Sequence, residues 1–344
     1  MRKIFSSLAC IPALMFFLLF MGKVVADSGP QPLPPEIIIA WDKAGAQSEW
    51  INIVESRGLP SYGFYGISDY SNFFVSPKDI QAFQFLSWTP GKISQLPAPD
   101  QGFGLDFYSP NPGFGNRTYS VINDSGLKEL SRFSQLWSLN LCYTHVTDSG
   151  LVELAGLTQL RALSLGGNHI TDSGLKELAG LKRLEFLWLF DTQVTDAGLK
   201  ELAGFTQLRA LWLDGTHVTG PGLQYLVGLK QLQMLDLTGT QITDAGLHNL
   251  VGLAQLQMLN LTDTQVTGAG LKNLAQLPRL QELDLNNTHI TDAGLQNLSE
   301  CTQLHVLHLI GTQVTAVGVA KLQKALPNLW DIDSFFPDEI KHVN

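Results

Sequence analysis

The residues of this chain that could do chemistry recur on a fixed interval. Asp124, Asp148, Asp172, Asp196, Asp244 and Asp292 are separated by 24 residues or by multiples of 24. A row of carboxylates is one way to hold calcium. The other reading is that each aspartate opens a short helix and caps its unpaired N–H groups, and that is the reading adopted. His145, His169, His217 and His289 share a second position with Gln193, Gln241, Gln265 and Gln313. Neighbouring imidazoles such as His145 and His169 suit a metal, but glutamine in the other copies points to a solvated polar ladder. No metal and no cofactor is expected.

A third set is aromatic. Phe186, Trp188 and Phe190 alternate along one short run, Trp212 follows Trp188 by one interval, and Asp191 and Asp214 border them. Aromatics exposed on a recognition face act as binding anchors. Packed on one another, they would simply strengthen a sheet. Both readings stand on the sequence alone, and these six residues are the candidate ligand-binding site. No H-E-x-x-H, G-x-S-x-G or C-x-x-C occurs. Gly102–Phe103–Gly104 and Gly113–Phe114–Gly115 lie among prolines with no helix after them, which argues against a phosphate loop. No catalytic residues are assigned, and an enzyme is not expected.

The interval itself is the organising feature. Leu136, Leu160, Leu184, Leu208, Leu232, Leu256, Leu280 and Leu304 open eight copies of one 24-residue unit. Within a copy, Leu163–Ser164–Leu165 has the period of a strand, and Leu175, Leu178 and Leu181 fall on one face of a short helix. Thr171 or Asp172 is the helix cap. One copy cannot bury its leucines alone, so copies must stack, and the two ends need caps. The odd strand positions then line one face, its central column reading Asn140, Ser164, Trp188, Trp212, Asp236, Asn260, Asp284 and His308.

The pattern L-x-x-L-x-L-x-x-[TN]-x-[VI]-T-[DG]-x-G-L resembles the leucine-rich repeat family, with Thr at the turn position in place of Asn everywhere but Asn168. Its T-D-A-G-L-K-E-L-A-G-L wording is similar to secreted bacterial members of the planctomycete type. The resemblance implies an α/β solenoid, or horseshoe, with a parallel concave sheet and short convex helices. It also implies a scaffold that binds a protein or peptide on the concave face. A glycan-binding module using Trp188 and Trp212 is the alternative. A ubiquitin-ligase substrate adaptor is a further one, which would require an intracellular eukaryotic protein.

Five segments are expected. Residues 1–26 read as a signal peptide, with Arg2 and Lys3 ahead of an apolar run and Val24–Val25–Ala26 before the cut. An uncleaved anchor is the rival reading. Residues 27–35 form a Pro-rich linker, 36–120 a small α+β module packed on the first repeats, 121–333 the capped array, and 334–344 a tail. Within the module, Ile37 to Arg57 reads as one helix or as a strand followed by a helix. The protein is therefore expected to be secreted, periplasmic or in the cell envelope, and monomeric.

Charge narrows the partners. The chain has 22 basic and 31 acidic residues, a net charge of −9. Loss of Arg2, Lys3 and Lys23 with the leader leaves 19 against 31, or −12. Such a surface repels phosphate backbones, so nucleic acid is not an expected partner, nor is membrane insertion once the leader is cut. Cys142 and Cys301 lie more than six copies apart and cannot bridge within one molecule. Sequons stand at Asn116, Asn260, Asn286 and Asn297.

Overall fold

The computed structural model describes residues 32–51, 80–85, 87–108 and 122–333. The leader, the tail, the Val121 start of the array, Phe335 and Phe336 lie outside the described residues. So do most of the linker and Asn116. Helix α1 (Pro35–Lys43) is followed by β1 (Gln47–Ile51), β2 (Ile80–Gln84), β3 (Phe103–Asp106), α2 (Asp124–Leu130) and β4 (Leu136–Asn140). Seven more strands then step through the copies: β5 (Ala162–Ser164), β6 (Phe186–Trp188), β7 (Ala210–Trp212), β8 (Met234–Asp236), β9 (Met258–Asn260), β10 (Glu282–Asp284) and β11 (Val306–His308). A last strand, β12 (Asp331–Asp333), closes the series.

All twelve lie in one sheet in chain order. Only β1 runs antiparallel to its neighbour; every other pair is parallel. Each repeat strand pairs with the residue 24 further on, as Leu163 does with Leu187 and Leu187 with Leu211. Two irregularities flank this register: a bulge between Phe103 and Gly104 where β3 meets β4, and at the C-terminal end Val306 faces Asp331, one residue late.

Ile37 to Arg57 reverses the expected order: where described, the helix comes first and the strand second. Pro35 at the first turn supplies a φ already suited to a helix, and Gly45 at φ +92° turns the chain out of it. Trp41 of α1 is fully buried. It stacks on Phe83 at 4.6 Å, lies 5.4 Å from Phe133, and its indole N–H donates to the Pro97 carbonyl at 3.0 Å. The described part of 36–120 is thus α+β, and it is continuous with the array through the β3–β4 pairing. Its aromatics seal the first leucine layer.

Between most repeat strands the chain makes a short α-helix that tightens into 3₁₀, as in Asp148–Leu151 followed by Val152–Leu154, whereas Asp196–Leu202 and Ala316–Ala325 stay α-helical. Over Gly220–Gly228 the whole stretch is 3₁₀, where Pro221 has no N–H to give. The leucine columns, including Leu163, Leu187, Leu211 and Leu235, are fully buried. Cys142 and Cys301 are buried and unbridged.

The repeated aspartates do something other than cap. Thr195, not Asp196, accepts the helix-start N–H, that of Ala197. Asp172 instead reaches into the next coil: Oδ1 accepts the Thr195 N–H at 2.8 Å and Oδ2 the Thr195 hydroxyl at 2.7 Å. Asp124, Asp148, Asp196, Asp244 and Asp292 repeat the bridge. At the first helical position the side chain points across the stack, while the preceding threonine is already placed over the free N–H groups.

This bridge explains the glycine of T-D-x-G-L. A Cβ on Gly198 would stand 2.4 Å from Asp172 Oδ1, and the same clash meets Gly150, Gly174, Gly222, Gly270 and Gly318. Where Gly220 and Gly268 replace the aspartate, backbones touch instead: a Cβ on Gly246 would lie 2.6 Å from Gly220 Cα. There the amides of Asn249 and Asn297 donate to the Gly220 and Gly268 carbonyls at 3.0 and 2.8 Å. Asp172→Ala leaves the Thr195 N–H unsatisfied and should cost about 1–3 kcal/mol. An unchanged urea midpoint would remove these bridges from the account of stacking.

Candidate functional site

After each repeat strand the chain turns through a left-handed residue. Tyr143, Gly167, Asp191, Gly215, Gly239, Asp263, Asn287 and Gly311 occupy this position with φ between 50° and 74°. Glycine does so freely, and Asp and Asn are tolerated; tyrosine is the outlier. The turn holds Asp191 at the rim of the concave face, where it accepts from the Tyr143 hydroxyl at 3.4 Å. Gly215 keeps the adjoining place open, since a Cβ there would meet Asp191 Oδ1 at 2.4 Å.

Strand pairing brings the six candidate residues together. Trp188 is directly opposite Trp212, and the two indoles stack at 4.5 Å with planes 10° apart. Phe186 lies 6.2 Å from Trp188 on the same strand, and the Arg209 guanidinium sits 5.9 Å above its ring. Phe190 fills the space left by Gly166, where a Cβ would be 2.3 Å from the phenyl tip.

The four rings are not the exposed anchors that the binding reading requires. Phe186, Trp188, Phe190 and Trp212 are exposed by 5, 8, 1 and 5%. Coils about 4.8 Å apart set equal positions at stacking distance, so the flat faces meet each other. Two further aromatic residues join the cluster, Tyr108 and Tyr143, with Tyr143 5.8 Å from Phe190 and 6.3 Å from Tyr108. Tyr143 stood in the sequence at the turn position, and only its odd residue type marked it.

The carboxylates differ in kind. Asp191 is exposed. Burial, then the charge of Asp236, pushes Asp214 up to about 8. Asp236 rises to about 6, mainly through burial, although Thr238 donates to it through N–H at 2.9 Å and hydroxyl at 2.6 Å. Asn260 adds an amide bond to Asp236 at 3.3 Å. Further along, burial and the charges of Asp284 and Asp331 raise Glu282 to about 7. Burial also raises Asp284.

Asn260 and Asn286 are buried, and the Asn286 side chain accepts the Ile310 N–H, so neither sequon offers its amide. The histidine row is exposed at His145 and His169, and His169 lies 3.3 Å from the Gln193 amide. Among the described residues no group of three or more His, Cys, Asp or Glu is placed to hold a metal. Nor is any described helix long and apolar enough to cross a membrane.

Comparison with known proteins agrees with this geometry. The family described as FBD-associated F-box protein, LRR repeats, matches residues 227–332, and the family described as Leucine Rich repeat matches 156–179. No curated protein matches the sequence. Among solved structures, an internalin (InlF) from Listeria monocytogenes is similar at a TM-score of 0.50 and 28% identity, over 67% of this chain and 59% of that one. Internalin C2 from the same organism is similar at a TM-score of 0.42 and 27% identity, over 62% of this chain and 76% of that one. The chain thus spans little more than half the length of the InlF structure. Leucine-rich-repeat models thus match two parts of the chain, and its fold is that of a leucine-rich-repeat solenoid; proteins built of such repeats typically serve as protein-interaction scaffolds.

Proposed function

We propose that the protein is a non-enzymatic, exported binding scaffold that recognises a protein or peptide on the concave face of its repeats. The observation that carries this reading is the contrast along that face. The leucine positions hold one residue type throughout, while the inward column changes from Trp188 and Trp212 to Asp236, Asn260, Asp284 and His308. The leucines and the Asp–Thr bridges stack coils whose inward residues differ, so the residue types of this column are free to serve recognition. In this reading Phe186, Trp188, Phe190 and Trp212 form the rigid floor, and Asp191 and Asp214 at its edge make the contacts. A glycan module is less well supported, because the two indole faces are spent on each other. The F-box family match covers repeats alone, which gives the adaptor reading no support of its own.

Peptides selected from a random displayed library on the full chain provide the test. Bound peptide should slow amide exchange on β5–β11 and leave the convex turns unchanged. Protection confined to the convex side, or no enrichment over an unrelated protein, refutes the reading.

A further inference from the structure

Beyond the aromatic cluster the concave face becomes acidic. From β7 to β12 its inward positions carry six carboxylates, Asp214, Asp236, Glu282, Asp284, Asp331 and Asp333, one imidazole, His308, and no Lys or Arg. Carboxylates drawn into one partly desolvated row resist ionisation, and among the described residues no Lys or Arg on this face offsets their charge. Arg209, one residue ahead of β7, is engaged with Glu185 at 3.6 Å.

His308 is an independent observation. Its side chain is 9% exposed, yet Nδ1 has no hydrogen-bond partner. The ring stands between two carboxylates without bonding either: Nε2 is 4.0 Å from Glu282 and Nδ1 3.9 Å from Asp333. Both separations exceed hydrogen-bonding distance. The Glu282 and Asp333 side chains, 23 and 41% exposed, accept no hydrogen bond in the described structure. A buried ring aimed at two open carboxylates leaves acceptors in place for a donor that no described residue supplies.

We propose that this end of the concave face, centred on Glu282, Asp284, His308 and Asp333, binds the arginine or lysine side chains of an extended partner segment running along the solenoid axis. The inference rests on the concave-face scaffold reading and names the chemistry of its partner. A divalent metal fits less well. Calcium needs six to eight oxygens around one point, whereas these carboxylates stand in a row on successive coils, and the described residues hold no metal-binding group. From Asp236 to Asp333 the row crosses four coil steps of about 4.8 Å, roughly 19 Å. Alternate side chains of an extended segment are about 6.7 Å apart. The row therefore accommodates about three basic residues in alternation, and guanidinium groups suit paired carboxylate acceptors better than ammonium does.

The probe is a fluorescein-labelled Arg-Ser-Arg-Ser-Arg-Ser peptide, titrated by anisotropy against the full chain. Saturable binding is expected, weakened at least tenfold by the double variant Glu282→Gln/Asp284→Asn. The charge-matched pair Glu177→Gln/Glu300→Gln, away from the concave face, should change affinity less than twofold. Asp333→Asn, on the last strand, should weaken binding at least threefold and serves if the double variant does not fold. Absence of saturable binding, or equal losses in the two pairs, overturns the inference. If that happens while library-selected peptides still protect the concave strands, the scaffold reading stands and only the cation preference falls. If no peptide protects those strands, the scaffold reading itself has failed.

Discussion

Trp188→Ala should lower the stability of the array by about 3–5 kcal/mol, the usual range for deleting a buried aromatic side chain. The indole is 8% exposed and lies flat on Trp212 at 4.5 Å. Its removal opens a space that Ser164 and Phe186, its neighbours across and along the sheet, cannot fill by rotating. Trp212→Ala should cost a similar amount. The double variant should cost less than the sum, because each single change already breaks the stack. Asn260→Ala, on the same column two coils beyond Trp212, is the control and should act chiefly through its bond to Asp236.

The same variants separate floor from contact. Partner affinity measured on peptides from the displayed library should fall when Asp191 or Asp214 is changed, and fall less for Trp188→Ala at temperatures where the variant remains folded. If affinity drops by about 2 kcal/mol or more in Trp188→Ala with the melting temperature unchanged, the indole is a direct anchor. The burial argument would then be wrong.

Stability should also fall as pH rises from 6 to 8.5, by several kcal/mol over that interval. Asp214, Asp236 and Glu282 have ordinary values of 3.8, 3.8 and 4.5 and rise in the folded chain to about 8, 6 and 7. Between those limits the folded protein holds more protons than the unfolded chain, so raising the pH favours unfolding. The stability these groups contribute is complete below their unfolded values and is lost as each folded value is passed. Asp214→Asn should flatten the slope and raise the urea midpoint at pH 8.5, because the amide needs no proton to stay neutral beside Asp236. A midpoint that climbs from pH 6 to 8.5 would show that these carboxylates are solvated or paired as anions.

Periodicity made most of the fold legible before any coordinate. Leucines on a strict 24-residue step cannot be buried one copy at a time, so the stack, its register and its leucine columns follow from Leu136 to Leu304 alone. The one-residue slip before β12 was equally visible, because Leu329 arrives one place late. Local rules reached the helix starts but not the capping residue: the repeated aspartates read as caps, whereas Thr195 accepts the helix-start N–H and Asp172 bridges to the next coil.

What the sequence alone left undetermined depends on distances between coils. Asp172 sits at a helix start, and only the separation of neighbouring coils turns its carboxylate toward Thr195 and makes Gly198 obligatory. Trp188 and Trp212 are recognisable as a pair from their spacing. Whether they face solvent or one another is decided by stacking geometry, which favours contact. The acidic end is only partly legible for the same reason: the repeat puts Asp236, Asn260, Asp284 and His308 in one column but does not bring Asp333 beside them. Glu282 and His308 lie 26 residues apart and Asp333 lies on a strand that is out of step, so no linear pattern joins them. Parallel pairing of β10, β11 and β12 places Glu282 and Asp333 on either side of the His308 imidazole.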